Sequence, residues 1–198
     1  MAPSWDDVRA PTEVAMTLPA TTVDPRPSAP HFRQAISHFS TGVAVVTTRT
    51  STGPAGMTAS AVASLSLDPV QLLVCIGTTL PTRSAIEESG RFAVNVLGEG
   101  QEHLARRFAT RRDDKFAGVA LRTDDDVPVL ADAIAHFVCS VGSALPGGDH
   151  TIVIGDVLTC EFRAGTSPLV YFASTFGGLC DPQGHAREAF HWQLASAM

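Results

Sequence analysis

A run of small hydroxyl residues at positions 56–69 (GMTASAVASLSLDP) is the feature that most constrains how this chain folds. If the run is one extended strand, Thr58, Ser60, Ser64 and Ser66 share the same parity and lie on one face. Such a face is too thin and polar to fill a hydrophobic core. It is therefore either a solvated sheet surface or a surface where the backbone approaches a flat ligand with polar edges.

The rest of the chain alternates short β-type segments with short helices. The β-type segments are 43–48, 70–76, 92–97, 133–145, 151–162 and 169–172, and the helical ones are 31–39, 81–90, 101–108 and 185–194. Short helices around six or more strands are typical of a barrel and not of a doubly wound sheet. The sequence therefore predicts a mainly β (α+β) fold, in which the two longest strands form a hairpin with a wide tip at 146–149.

Proline content divides the chain into three sections. Residues 1–30 contain six prolines, which block regular hydrogen bonding and predict a flexible, Pro/Ala-rich N-terminal arm. Residues 31–180 form one domain, and a chain of this size can bury a core of its own. Residues 181–198 form a C-terminal tail with a predicted helix.

Composition argues against several classes of protein. There are 14 basic and 20 acidic residues, with no basic cluster interleaved with aromatics, so no nucleic-acid partner is expected. No apolar stretch approaches the roughly 20 residues that span a bilayer, and no leader is seen, which predicts a cytoplasmic protein without membrane contact. Cys75, Cys139, Cys160 and Cys180 are widely spaced, and the first three lie in apolar β-type runs that predict small buried side chains.

Standard catalytic motifs are missing from the sequence. It contains no G-x-G-x-x-G after a strand, no phosphate-binding P-loop and no G-x-S-x-G elbow, and its seven histidines lack zinc spacing. We therefore expect no metal and no protein nucleophile. A flavin carries its own electron-accepting atom, so its protein needs ring-edge hydrogen bonds, a phosphate anchor and room for a second ring.

Several motifs, taken in order, resemble the short-chain flavin reductases, the reductase components of two-component flavin-dependent monooxygenases. They are FRQAISHFSTGVAVV at 32–46, the 56–69 run, FAVNVL at 92–97, DKF at 114–116, GDH at 148–150 and PLVYF at 168–172. The resemblance spans about 32–179. It implies a split β-barrel of the FMN-binding type and a homodimer with flavin near the subunit interface.

The resemblance also implies site residues. On the flavin side these are Thr58, Ala59, Ser60, Ala61, Ser64 and Ser66 along the ring, with Thr79, Thr82 and Lys115 toward the phosphate. On the nicotinamide side they are His150 and Phe176. Each assignment has a structural alternative. It is an ordinary edge strand for residues 58–66, helix capping for Thr79 and Thr82, and a surface position for Lys115. For His150 it is a solvated hairpin tip, and for Phe176 it is packing against the barrel. Many relatives have Asn-Ser where this chain has Ser60 and Ala61, and a second proline where it has Val70.

Taken together, the motifs predict an NAD(P)H-dependent flavin reductase. A hydride would pass from nicotinamide C4 to flavin N5 across roughly 3 to 3.5 Å, and reduced FMN or FAD would then diffuse to a separate monooxygenase. One alternative is a split-barrel oxidase that retains its flavin, as pyridoxamine phosphate oxidases do; the GDH turn favours the reductase. The other is a non-catalytic flavin- or haem-binding protein. FMN and FAD remain equal candidates, as do NADH and NADPH.

Overall fold

The computed structural model describes residues 26–179. The helices in this range are α1 (Ala29–Ile36), α2 (Pro81–Ser89) and α3 (Glu102–Phe108). The strands are β1 (Thr41–Gly42), β2 (Ala44–Thr50), β3 (Gly53–Ala59), β4 (Val62–Leu67), β5 (Val70–Gly77), β6 (Arg91–Val96), β7 (Leu121–Asp124), β8 (Val127–Leu130), β9 (Ala135–Gly147), β10 (His150–Phe162), β11 (Val170–Phe172) and β12 (Thr175–Gly177). Most of the predicted arm, the 185–194 helix and Cys180 lie outside the described residues, and the three-section division stays a prediction.

The main sheet closes on itself. Within residues 26–179 it contains seven antiparallel strands in the order β3-β2-β6-β9-β10-β5-β4. Its two edge strands, β3 and β4, are consecutive in the chain and separated only by Ser60 and Ala61. Three Cα–Cα steps reach at most about 11 Å, so the two edges have to meet. The sheet is thus a split β-barrel, which confirms the predicted fold class.

The expectation of one continuous strand over 56–69 is wrong. The chain changes partner at Ser60–Ala61, since Ala59 pairs with Ala44 of β2 whereas Val62 pairs with Val74 of β5. A bulge between Ser64 and Ser66 then places these serines opposite the adjacent β5 residues Leu72 and Gln71, which face opposite sides. The four hydroxyl residues therefore do not share one face.

Strand alternation separates an inner from an outer core. The barrel interior includes Val46, Val74, Phe92, Val94 and Val153, all with no more than a trace of exposure. On the outer surface a second cluster, with Val45, Leu97, Phe108, Leu130 and Leu169 among its members, packs under α3 and the following loop. An added Cβ at Gly155 would lie 2.6 Å from Phe92 Cζ and 2.8 Å from Cys139 Cβ, so this position of the interior requires glycine.

The cysteines follow the prediction only in part. Cys139 is buried, and its burial raises the pKa of its thiol to about 12. Cys75 is half-buried. The expectation for Cys160 is wrong, because it lies beyond a β10 bulge in a stretch where residues 158–162 are all exposed.

Helix α2 and the two long strands of the hairpin match the sequence prediction, but the hairpin tip does not. Pro81 occupies the first turn of α2, and Gly90 ends the helix in the left-handed conformation with φ of 67°. The hairpin tip is tight where a wide one was expected, since His150 pairs with Gly147 and only Gly148 and Asp149 lie between them.

None of the helices within residues 26–179 has the length and apolar character needed to cross a membrane.

Asn95 connects the barrel to the outer β7–β8 hairpin. Its fully buried side-chain amide donates to Val45 O and Thr47 Oγ1, each at 2.9 Å, and its Oδ1 accepts from Leu130 N at 2.8 Å. Thr47 Oγ1 in turn donates to Pro128 O. The network satisfies backbone groups of β8 that would otherwise be buried without partners.

We expect Asn95→Ala to lower the free energy of unfolding by about 2–3 kcal/mol, because the Leu130 N–H then stays buried without an acceptor. Urea denaturation of the flavin-free protein measures this change. Thr110→Ala, which removes an exposed hydroxyl, is the matched control and should change stability by no more than about 0.5 kcal/mol. An equal effect of both substitutions would contradict a structural role for the Asn95 network.

Candidate functional site

Two cavities of the described chain meet at the seam, which is the Ser60–Ala61 link between the barrel edges. The wide cleft has a volume of about 780 Å³ and the side cavity one of about 430 Å³. Their linings share four residues, namely Val43, Ser60, Tyr171 and Ser174. Both volumes fall within the roughly 300–1,000 Å³ of typical small-molecule sites. The arrangement can hold two ligands next to each other at the seam.

The wide cleft is largely apolar and opens toward α1. Leu73, Val94 and Phe137 belong to its walls, and Arg33 is the one charged side chain among the described residues that line it. Thr41 Oγ1 is buried in this lining without a hydrogen-bond partner in the described chain. An unpartnered buried hydroxyl costs about 1–3 kcal/mol, so the cleft carries a polar group suited to bind an external partner.

The side cavity lies between β3, α3 and the β11–β12 hairpin. Thr58 Oγ1 donates to Ala105 O at 2.6 Å, which holds α3 against β3. The Arg106 guanidinium carbon lies 5.1 Å from the centre of the Phe176 ring, and Tyr171 packs on the same ring at 5.1 Å. Aromatic faces and one cation thus form the outer wall.

The β11–β12 hairpin lies where the two cavities adjoin, and its Tyr171 and Ser174 line both. Its turn residues Ala173 and Ser174 have φ values of 47° and 65°, a backbone conformation that residues other than glycine rarely adopt. Ala173 N donates to Ser37 O at 2.7 Å, which fixes the turn to the end of α1. Ser174 is thereby held where it lines both cavities.

The structure brings together only some of the residues that the resemblance implied. Ala59 and Ala61 line the wide cleft, Thr58 and Phe176 line the side cavity, and Ser60 lines both. The remaining ones do not line either cavity within the described chain; they are Ser64, Ser66, Thr79, Thr82, Lys115 and His150.

Lys115 has a structural task in the described chain. Its Nζ donates to Gly56 O at 3.2 Å and to Phe108 O at 3.4 Å, and partial burial lowers its pKa. The adjacent Phe116 packs edge-on against Phe108 with ring centres 4.9 Å apart. A Cβ on Gly56 would lie 2.9 Å from Val46 O and 3.0 Å from the Phe116 ring, so glycine is needed where the DKF segment crosses β3.

His150 lies at the tip of the long hairpin, beside the connection that carries Thr79. Its Nδ1 is 2.7 Å from Asp149 Oδ1, and this hydrogen bond lowers the pKa of the Asp149 carboxyl. Asp149 O accepts from both Thr78 N and Thr78 Oγ1, at 3.0 and 3.2 Å. Thr79 is exposed, whereas Thr82 is only 4% exposed.

Sequence reasoning missed Thr41, Tyr171, Ser174 and Arg106 as lining residues. Thr41 and Tyr171 lie inside quoted motifs, so the sequence marked their segments but not their side chains. From the sequence, the basic group that includes Arg106 suits a phosphate-bearing small molecule or an ordinary solvated helix end, and nothing local places it in a cavity. Its place over Phe176 depends on the contact between α3 and β12, which no local pattern encodes.

Comparison with known proteins identifies the family. Residues 36–179 match the flavin reductase like domain family. The reductase component of a Rhodococcus opacus 4-nitrophenol 4-monooxygenase/4-nitrocatechol 2-monooxygenase is 43% identical over 147 residues, covering 74% of this chain and 78% of its own. An NADH-dependent FMN reductase of Agrobacterium fabrum is 40% identical over 147 residues, with 74% and 83% covered.

Solved structures agree with this assignment. The NADH:FAD oxidoreductase of Streptomyces globisporus C-1027, determined with NAD and FAD fragments, superposes with a TM-score of 0.76 at 34% identity. The superposition covers 84% of this chain and 100% of the other. This chain belongs to the flavin reductase family, which confirms the resemblance stated from the motifs.

Proposed function

We propose that this protein is an NAD(P)H:flavin oxidoreductase that acts in the cytoplasm and supplies reduced FMN or FAD to a separate monooxygenase component. Relatives named as a monooxygenase reductase component and as an NADH-dependent FMN reductase support this activity. The structural observation that carries it is that the two cavities adjoin at the seam, where their linings share four residues. Hydride transfer needs two flat rings in contact, and this geometry can align them.

The residues of the wide cleft fit a flavin ring system. An apolar wall suits the ring faces, whereas the hydroxyls of Thr41 and Ser60 and the backbone of the seam suit its polar edge. Arg33 offers a positive charge at the α1 side of the cleft. A flavin bound there would supply the electron-accepting atom, and the protein contributes orientation and exclusion of water.

Individual residues receive different support as flavin contacts. We assign direct contact to Ala59, Ser60 and Ala61, and an indirect role to Thr58, whose hydroxyl already holds α3. Thr79 is exposed beside the first turn of α2, where free N–H groups attract phosphate. Thr82 and Lys115 are weaker phosphate contacts because the first is buried and the second donates to two carbonyls. Ser64 and Ser66 lie on the far part of edge strand β4.

The first test is the oxidation of NADH or NADPH under anaerobic conditions with no flavin, with FMN or with FAD. We expect turnover that requires added flavin. We assign His150, at the tip of the long hairpin, to the nicotinamide side as the resemblance implies, so His150→Ala should lower kcat/KM about tenfold, which corresponds to about 1.4 kcal/mol of transition-state stabilisation. His103→Ala, which changes an exposed histidine on α3 away from the hairpin tip, is the control. Measurable flavin binding without any turnover would reject the reductase in favour of a flavin-storage protein.

A second test concerns the unpartnered Thr41 hydroxyl. We expect Thr41→Val to leave the ligand-free protein as stable as before or more stable, and to weaken flavin binding about fivefold through loss of one hydrogen bond. Urea denaturation and quenching of flavin fluorescence measure the two effects. Thr41→Ser keeps the hydroxyl and should bind as the unmodified protein does. Unchanged flavin affinity in the valine variant would remove Thr41 from the site.

We further propose that the protein is a homodimer and that the partner subunit covers the face around α1. None of the α1 residues is buried, and Phe39, which follows the helix and lines the wide cleft, is 70% exposed. Phe32 and Ile36 are also more than 45% exposed. Several large exposed apolar side chains beside a ligand cleft are typical of a protein interface.

The oligomeric state tests this assignment directly. We expect light scattering to give twice the chain mass for the unmodified protein, and Phe39→Glu to shift the population to monomers because a buried charge would face apolar side chains. Leu121→Glu changes an exposed leucine of β7 and should leave the dimer intact. A monomeric unmodified protein would reject the homodimer.

A further inference from the structure

Arg106 is the one charged side chain among the described residues that line the side cavity. We propose that Arg106 binds the diphosphate of a nucleotide ligand and leaves the Phe176 ring when it does so, which frees that ring for stacking. The inference rests on the proposed function, since the candidate ligands are its dinucleotides. It deepens that function by assigning a recognition residue outside the motifs that mark the family in this sequence.

Only part of the Arg106 guanidinium forms hydrogen bonds in the described chain. Its Nε and Nη2 both approach Glu102 Oε1 at 2.6 Å, one turn earlier on α3. No hydrogen-bond partner of Nη1 is found within the described chain, and the side chain is 65% exposed at the mouth of the cavity. A planar guanidinium can therefore present a free edge to an incoming phosphate.

The two contacts that hold Arg106 in its present position are weak ones. An exposed ion pair between residues four apart on a helix is screened by water, and a cation–π contact made by a solvent-exposed guanidinium on the half-buried Phe176 ring is modest. A diphosphate offers two charges and several acceptors in bidentate geometry, which is the stronger class of interaction. The side chain can therefore exchange the ring for the anion.

The exchange has a consequence for Phe176. Arg106 covers one face of the ring at 5.1 Å, and Tyr171 packs against the ring at an interplanar angle of 52°. The face beneath Arg106 becomes available to a nicotinamide or other flat ring only when the guanidinium moves away. A ligand that carries phosphate thus uncovers its own stacking surface, whereas a ligand without phosphate does not.

Neighbouring arginines are engaged elsewhere. Arg107 donates to the carbonyls of Asp114 and Ala117, at 3.1 and 2.6 Å, and so fastens the DKF segment. Arg112 forms a two-point ion pair with Asp114, at 2.7 and 2.8 Å. Neither lines the side cavity. Arg112 therefore provides a matched control at a nearby exposed position.

The test is calorimetric titration of the flavin-free protein with NAD⁺, ADP-ribose and riboflavin, with FMN and FAD followed by flavin fluorescence. We expect Arg106→Gln to weaken binding of ADP-ribose about tenfold and to reduce the salt dependence of that affinity, while riboflavin binding stays unchanged. Arg106→Lys should keep part of the affinity, because it keeps the charge without the planar fork. Arg112→Gln should bind as the unmodified protein does.

Glu102→Gln provides a second, opposite readout. Removing the competing carboxylate should strengthen ADP-ribose binding several-fold, an effect that simple damage to α3 would not produce. A loss with NAD⁺ but not FAD assigns the hydride donor as the diphosphate source, and the reverse pattern assigns FAD; both support the role of Arg106. Unchanged ADP-ribose affinity in Arg106→Gln, or an equal loss for riboflavin, overturns it.

The same experiments separate this inference from the proposed reductase. If the unmodified protein turns over NADH with flavin but ADP-ribose binding does not depend on Arg106, the reductase stands and the inference fails. If ADP-ribose binding depends on Arg106 but no flavin-dependent turnover occurs, the phosphate site stands and the reductase fails. Circular dichroism of each variant confirms that it is folded.

Discussion

The two-residue link Ser60–Ala61 is the constraint on which the rest of the structure depends. It joins the two edge strands of one sheet, so the sheet has to curl until β3 and β4 meet. Closure encloses the apolar interior. At the seam the ladder of hydrogen bonds between neighbouring strands is interrupted, because the chain changes its partner strand there. Both cavities open at that line. The site therefore lies where the barrel closes, and the topology accounts for its position.

The outside of the barrel is covered unevenly, and this decides which part of the seam is accessible. Asn95 fastens the β7–β8 hairpin, while Thr58 and Lys115 fasten α3 and the DKF segment. Each of these contacts pairs a buried or half-buried polar group with a backbone carbonyl or amide, which is the form in which polar groups are stable inside a protein. The face around α1 has no comparable cover in the described chain. The two cavities therefore lie between the side packed by α3 and the DKF segment and the exposed face around α1.

Local pattern predicted most elements, because their signals lie within a few residues of one another. Pro81 and Gly90 delimit α2, a β-branched run marks β10, and an apolar stretch around residues 137–141 marks β9, so these elements were recovered. The error at 56–69 arose because period-two alternation continues in the sequence across Ser60 although the chain changes its hydrogen-bonding partner there. Alternation of apolar and polar residues shows that the two faces of a strand differ. It does not show which neighbouring strand the residues pair with. The exposed Cys160 was missed for a related reason, since a bulge in β10 cannot be read from an apolar run.

The sequence by itself determined the class of fold, the flavin reductase family and the segments from which the site is built, because ordered motifs and hydrophobic periodicity are local properties of the chain. Only the tertiary structure decided that Ser60 stands between two cavities, that the Thr41 hydroxyl is buried without a partner and that Arg106 lies over Phe176. Only it likewise showed Lys115 donating to carbonyls of β3 and α3. These facts depend on contacts between residues far apart in the chain, and such contacts are fixed by barrel closure and side-chain packing.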